Sequence, residues 1–207
     1  MDQTIKIILT DDKARYRHLV KEILEPFNVS VIGEADNGEE CLKLLQAKII
    51  PDIVLLDLEM PVMDGSKTLE QIMARFPSVK VVILSFYYDH LLIENFLARG
   101  ASGYLIKDGI LDTPVLLINA LQKVFSGGTF IYEKPGERQP FTEKQKQIMP
   151  LIFEGKTNLE IAKNVGINRR TVERQRHKIY EITGVEKAID FYKYAFSRGL
   201  QYLGFKK

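Results

Sequence analysis

An α/β domain built on a five-stranded parallel sheet, followed by an all-helical domain, is the architecture this sequence predicts. Three observations lead there. Short β-branched runs alternate with helical apolar spacing over the first 128 residues; a polar stretch rich in helix breakers follows; and every pattern after it is helical. Strands are expected at Ile5–Leu9, Val29–Glu34, Ile53–Leu56, Val81–Leu84 and Tyr104–Ile106. Between them Leu19/Val20/Ile23/Leu24, Leu42/Leu44/Leu45, Leu69/Ile72/Met73 and Leu92/Ile93/Phe96/Leu97 recur at helical spacing, and Val115 to Val124 supplies a fifth helix. Five β/α pairs imply a doubly wound parallel sheet with helices on both faces. In such sheets ligands bind at the carboxyl ends of the strands, where strand order reverses.

Ser126-Gly127-Gly128 ends the fifth helix, and the stretch from Glu133 to Pro140 is polar and carries Pro135, Gly136 and Pro140. The predicted division is therefore 1–128, a linker at 129–141, and a helical domain at 142–207. In that last part Thr142 with Gln145, and Thr157 with Glu160, have capping-box spacing. Asn168 can cap a third helix, and Gly155, Gly166 and Gly184 fall at helix ends.

Composition narrows the classes. The longest apolar runs fall far short of the ~18 residues that cross a bilayer, and the first residues do not read as a signal peptide. A single cysteine, Cys41, sits in a helical pattern with Leu42 and Leu45, which favours packing over chemistry and fits a reducing cytoplasm. Three scattered histidines, His18, His90 and His177, assemble no zinc-type cluster, and no Walker A loop is present. The net charge of +2 conceals an asymmetry: residues 1–128 hold 13 basic and 18 acidic side chains, residues 129–207 hold 16 and 9. The second part, at net +7, is the one suited to a polyanion, although a basic solvated surface has the same composition.

Polar residues punctuate the strand ends. Asp11 and Asp12 follow the first strand, Asp57 the third, Ser85 closes the fourth and Lys107 the fifth. Taken singly, Asp11 or Asp12 could cap the first helix and Lys107 could be solvated. Taken together, they converge on the sheet's carboxyl edge. Clustered carboxylates need a neutralising cation, and Mg²⁺ accepts a few carboxylate oxygens while keeping positions for water and phosphate. Lys107 supplies a fixed positive charge for a transferring phosphoryl group.

On these residues the first 128 positions resemble the receiver domain of two-component response regulators. The matching segments are Asp11-Asp12, "DLEMPVMDG" from Asp57 to Gly65, Ser85, and "GYLIKD" through Lys107-Asp108. The resemblance implies a flavodoxin-like fold, Asp57 as phosphoacceptor, and Mg²⁺ held by Asp11, Asp12, Asp57 and the backbone carbonyl of Glu59. It also implies Ser85 and Tyr104 as the switch pair and Lys107 as the phosphate contact. Phe86 departs from the small residue usual after the switch serine; its ring either narrows access to Asp57 or packs outward.

In the helical part, Val172, Ile179 and Ile182 form the expected buried stripe of a helix starting near Arg169. The opposite face carries Arg170, Arg174, His177 and Glu181, with Glu173 and Lys178 on its flanks. A basic face behind a capped helix and a Gly166-Ile167-Asn168 turn suits entry into a major groove; an ordinary charged surface helix is the alternative. Residues 141–199 are similar to the LuxR or NarL/FixJ class of helix-turn-helix domains, through Thr142, Glu154-Gly155, Asn158, Glu160-Ile161-Ala162, Thr171-Val172, Ile179 and Gly184-Val185. That class implies a four-helix domain, DNA contacts from Arg170, Arg174, His177 and Lys178, and a last helix at about Lys187–Arg198 that pairs two subunits on DNA. Glu173, Gln175 and Pro150 depart from it, and Pro150 is expected to interrupt the first helix of the domain.

The two resemblances imply a cytoplasmic response regulator rather than an enzyme, with Mg²⁺ as cofactor, and no membrane partner. The implied partners are a sensor histidine kinase, double-stranded DNA and a second copy of the chain. A phosphatase of the haloacid-dehalogenase type would place Asp-x-Asp after the first strand, whereas Asp57-Leu58-Glu59 follows the third. A phosphate-independent docking module would keep both folds without transfer to Asp57.

Overall fold

The computed structural model describes residues 4–133 and 141–203. Most of the expected linker, residues 134–140, lies outside the described residues. The chain divides into two units, the first taking in Met1–Tyr88 and Ile93–Glu133 and the second the helical remainder.

In the first unit β1 (Ile5–Thr10), β2 (Val29–Ala35), β3 (Ile53–Asp57), β4 (Lys80–Ser85) and β5 (Gly103–Ile106) coincide with the expected strands to within a residue at each end. They alternate with α1 (Ala14–Leu24), α2 (Gly38–Gln46), α3 (Gly65–Arg75) and α4 (His90–Ala98). After β5 come a short helix α5 (Lys107–Asp112), the longer α6 (Val115–Phe125) and β6 (Phe130–Ile131). All pairings are parallel, in the order β2-β1-β3-β4-β5-β6. The sheet thus has six strands, not the five expected. The extra strand is two residues long, at the start of the expected linker, and forms by pairing Gly103 with Phe130 and Tyr104 with Ile131. So short a strand has no periodicity to read; its partner creates it.

Every residue of β3 and β5 is buried, as parallel strands covered on both faces require. Because side chains alternate along a strand, Ile7, Leu9, Ile53, Leu55, Val82, Leu84 and Leu105 meet Val20 and Leu24 of α1 and Leu117, Leu121 and Val124 of α6. Ile8, Val54, Leu56 and Ile83 are fully buried in the intervening positions. Cys41 is buried too, and desolvation pushes its thiol up to about 11, in keeping with a packing role.

The second unit holds α7 (Glu143–Phe153), α8 (Asn158–Val165), α9 (Arg169–Thr183), α10 (Ala188–Ser197) and a 3₁₀ turn, Leu200–Leu203. Thr142 and Thr157 each close a capping box, on Gln145 and Glu160, and the Asn168 side chain accepts from Thr171 N–H. Gly166 and Gly184 end α8 and α9 at φ 69°, the left-handed geometry in which a Cβ is strained. Ile148, Met149 and Ile152 of α7, Ile161 of α8, Val172 and Ile179 of α9 and Phe191 of α10 are buried.

Two expectations change here. Ile182, in the last turn of α9, is 42% exposed and lies outside the buried stripe that Val172 and Ile179 form. Pro150 does not interrupt α7: the helix continues to Phe153, and Glu154 N–H donates to the Pro150 carbonyl at 2.9 Å. Proline removes only its own N–H bond, and buried Met149 and Ile152 on either side hold the turn in place. Among the described residues no helix is long and apolar enough to cross a membrane.

Candidate functional site

The sheet order reverses between β1 and β3, and the carboxyl ends of those two strands bring their acidic residues together. Asp11 and Asp12 leave β1, Asp57 is the last residue of β3, and Lys107 is the first of α5. Gly65, which opens α3, lets that turn close on β3: a Cβ there would lie 2.1 Å from the Asp57 carbonyl oxygen.

Lys107 is 2% exposed, and its Nζ lies 2.6 Å from Asp11 Oδ2 and 2.9 Å from Asp57 Oδ1. One ammonium thus faces two buried carboxylates, with Asp12 beside them. Burial pushes the Asp57 carboxyl up to about 6; Lys107 pulls it back, Asp11 raises it further, and the Glu59 N–H, donating to it, lowers it. Asp12 Oδ2 pairs with Lys13 Nζ at 2.5 Å, whereas Asp12 Oδ1 is buried and has no hydrogen-bond partner. Carboxylate oxygens of Asp11, Asp12 and Asp57 lie within 4.8 Å of one another. An excess of negative charge and an unsatisfied buried oxygen are what a hard divalent cation resolves, so these residues fit Mg²⁺.

The other expected residues surround this pocket differently. Ser85 is buried at the end of β4, its Oγ accepting from Tyr87 N–H at 3.0 Å. Tyr104 is fully buried, tilted against Phe96, and donates its hydroxyl to the Tyr87 carbonyl at 2.8 Å; it is not among the acidic cluster. The Glu59 side chain is exposed and accepts from the Tyr87 hydroxyl at 2.7 Å. Phe86, half exposed, sets its ring 5.1 Å from Lys107 Nζ, and Tyr16 of α1 stands 4.6 Å away from the same nitrogen. The Phe86 ring therefore covers Lys107 instead of packing outward alone. Tyr16 carries no sequence signal, since it interrupts no pattern, and Tyr87 is marked only as a bulky neighbour of Phe86; their positions beside Lys107 and Glu59 single them out.

In the second unit Arg170, Arg174, His177 and Lys178 are all exposed along α9. His177 lies 3.3 Å from Glu181, and Glu173 is paired with Arg169 at 2.8 Å. Arg176 differs from its neighbours: it donates to Asn158 Oδ1 and to the Tyr180 hydroxyl, both at 3.0 Å, and so ties α9 to the start of α8.

Comparison with known proteins identifies the domain to which each unit corresponds. Residues 7–119 match the response regulator receiver domain and residues 139–195 the bacterial regulatory proteins of the luxR family. The transcriptional regulatory protein LnrK of Bacillus subtilis is 34% identical over 193 residues, covering 82% of this chain and 86% of its own. The response regulator UvrY of Escherichia coli K12 is 26% identical, with 95% of each chain covered. Among solved structures, RcsB dimers bound to two parallel DNAs superpose with a TM-score of 0.69 at 24% identity, over 94% of this chain and 99% of that one. The receiver domain of the putative response regulator NarL of Mycobacterium tuberculosis gives 0.55 at 29%, over 61% and 99%.

Proposed function

Since the chain belongs to the two-component response regulators, joining a receiver domain to a LuxR-type helix-turn-helix domain, we propose that phosphoryl transfer from a sensor histidine kinase to Asp57 governs DNA binding by the α9 face. The observation that carries this is the buried Lys107 shared by Asp11 and Asp57, with Asp57 destabilised as an anion and open to a better partner. In the transfer a carboxylate oxygen of Asp57 bonds to phosphorus, the donor's P–N bond breaks, and its electron pair returns to the kinase imidazole. Lys107 holds its ammonium beside the carboxylate that accepts the group, preorganised by Asp11 and by the flanking rings. Asp11, Asp12, Asp57 and the Glu59 carbonyl are the proposed Mg²⁺ ligands. The ion supplies neutralising charge to the transferring group. Ser85 then donates its hydroxyl to the new phosphoryl oxygen while its lone pairs still accept from the Tyr87 N–H, so a shift of Ser85 is passed to Tyr87, whose carbonyl Tyr104 holds. Turnover beyond slow loss of its own phosphate is not part of this function.

On the DNA side, Arg170, Arg174, His177 and Lys178 meet the duplex and α10 pairs two copies; that RcsB, which shares this fold, binds DNA as dimers supports the reading. We divide the chain at 1–128, 129–141 and 142–207 and place its action in the cytoplasm. Acetyl phosphate with Mg²⁺ is expected to add one phosphoryl group to the protein by intact mass, and none to Asp57→Asn. Equal labelling of the variant overturns the assignment.

A further inference from the structure

We infer that Glu173 reads a cytosine, making the α9 face specific for a C·G pair at one position of each half-site. The inference rests on α9 being the DNA-reading helix. Glu173, on the flank of that face, is the acidic residue nearest its N-terminal end: an exposed carboxylate one turn below Arg169 and Arg170 and adjacent to Arg174, in a helix with no acidic residue in its first turn. It stands about 60° round the helix from Arg170 and about 40° from His177, within the exposed arc.

Helix stability does not account for it. Arg169 Nε and Glu173 Oε1 are 2.8 Å apart, but their side chains are 69% and 43% exposed, where an ion pair contributes little. The order is also the weaker one: the cation is at the helix N-terminus, against the macrodipole, and the acid lies four residues on. Glu173 thus sits on the exposed side of α9 with Arg169 as its ion-pair partner and Arg170 and Arg174 as neighbours along the helix.

Arg169 supplies a donor to Oε1 of Glu173; on binding, the other oxygen faces phosphates and is repelled unless it too meets a donor. In the major groove guanine offers only the O6 and N7 acceptors, and thymine an acceptor and a methyl group. Adenine offers its N6 amino group, but beside the N7 acceptor, which repels a carboxylate. Cytosine N4 is the donor without an adjacent acceptor on its own base, so it is the group a carboxylate selects. Glu173 then contributes by choice of sequence and costs general affinity.

Selection from random duplexes by the beryllofluoride-treated full-length protein tests this. Wild type is expected to enrich C·G at one position per half-site. Glu173→Ala should lose that preference, the discrimination falling roughly 5- to 100-fold, while binding to unrelated duplex is unchanged or stronger. Glu173→Gln should move the preference to adenine, whose N6 and N7 suit an amide; a merely structural Glu173 gives no such shift. If wild type enriches defined sites and Glu173→Ala keeps the same preference at every position, the inference is overturned while α9 stands as the reader. If wild type enriches no sequence at all, the reading of α9 fails and this inference with it.

Discussion

Lys107 illustrates how a single side chain sets the terms of its surroundings. A lysine is rarely buried; this one is, between two aromatic rings and two carboxylates, and its charge leaves Asp57 only partly compensated. The sign of the consequence follows from linkage. Asp57 has its carboxyl at about 6 in the folded chain and an ordinary value of 3.8, so its ionisation opposes folding above that window. In EDTA, Asp57→Asn should therefore be more stable than wild type by ~2–3 kcal/mol at pH 7.5, the excess shrinking as pH falls through 6 and vanishing below 4. Denaturant melts across that range check it, and a pH-independent difference contradicts it. Phe86 bears on access to the same group. Removing the ring that covers Lys107 should accelerate labelling by acetyl phosphate several-fold in Phe86→Ala; an unchanged initial rate means the ring does not gate the pocket.

Helix ends and faces decide the behaviour of the second unit. The Thr157 capping box satisfies orphan N–H groups at the start of α8, and the Thr157 hydroxyl and N–H together hold the Glu160 carboxyl below its usual range. Thr157→Ala should cost about 1 kcal/mol in denaturant unfolding; no loss would mean water caps this end equally well. On α9, the exposed Arg170, Arg174 and Lys178 should each weaken DNA binding when changed to alanine. A phosphate-contacting residue lowers the salt slope by about one unit for all sequences alike, whereas a base-reading arginine relaxes one position by about 1–3 kcal/mol. Full affinity in the triple variant would exclude α9 as the reader.

For the whole molecule the relevant quantity is charge. The receiver part carries net −5 and the DNA-binding part net +7, joined by a short segment. We propose that this opposition of charge lets the receiver part compete with DNA for the basic part, most strongly at low ionic strength, where screening is weakest. The isolated fragment 138–207 should then bind DNA without phosphorylation, and more tightly than the unphosphorylated full chain at equal dimer concentration. Phosphorylation should close that gap, since it can shift the population only by the difference in affinity between states. Equal binding by fragment and unphosphorylated chain, with phosphorylation altering only the dimer constant, makes dimerisation the switch instead.

The sequence by itself determined whatever depends on neighbours along the chain. The β-branched runs of the five long strands, the Thr142, Thr157 and Asn168 caps and the Gly166 and Gly184 helix ends follow from local propensity and hydrogen bonding. The gathering of Asp11, Asp57 and Lys107 was legible too, because parallel strands deliver their last residues to one edge. Only the tertiary structure decided the rest. Strand β6 exists because Tyr104 and Gly103 offer it a partner; Pro150 stays helical because its neighbours are buried; and Ile182 is left exposed although it falls on the apolar stripe. Tyr16 and Phe86 come to flank Lys107 from α1 and from the end of β4, 70 residues apart in sequence. Such contacts leave no periodic trace, since their free energy depends on the packing of distant elements and not on the residues beside them.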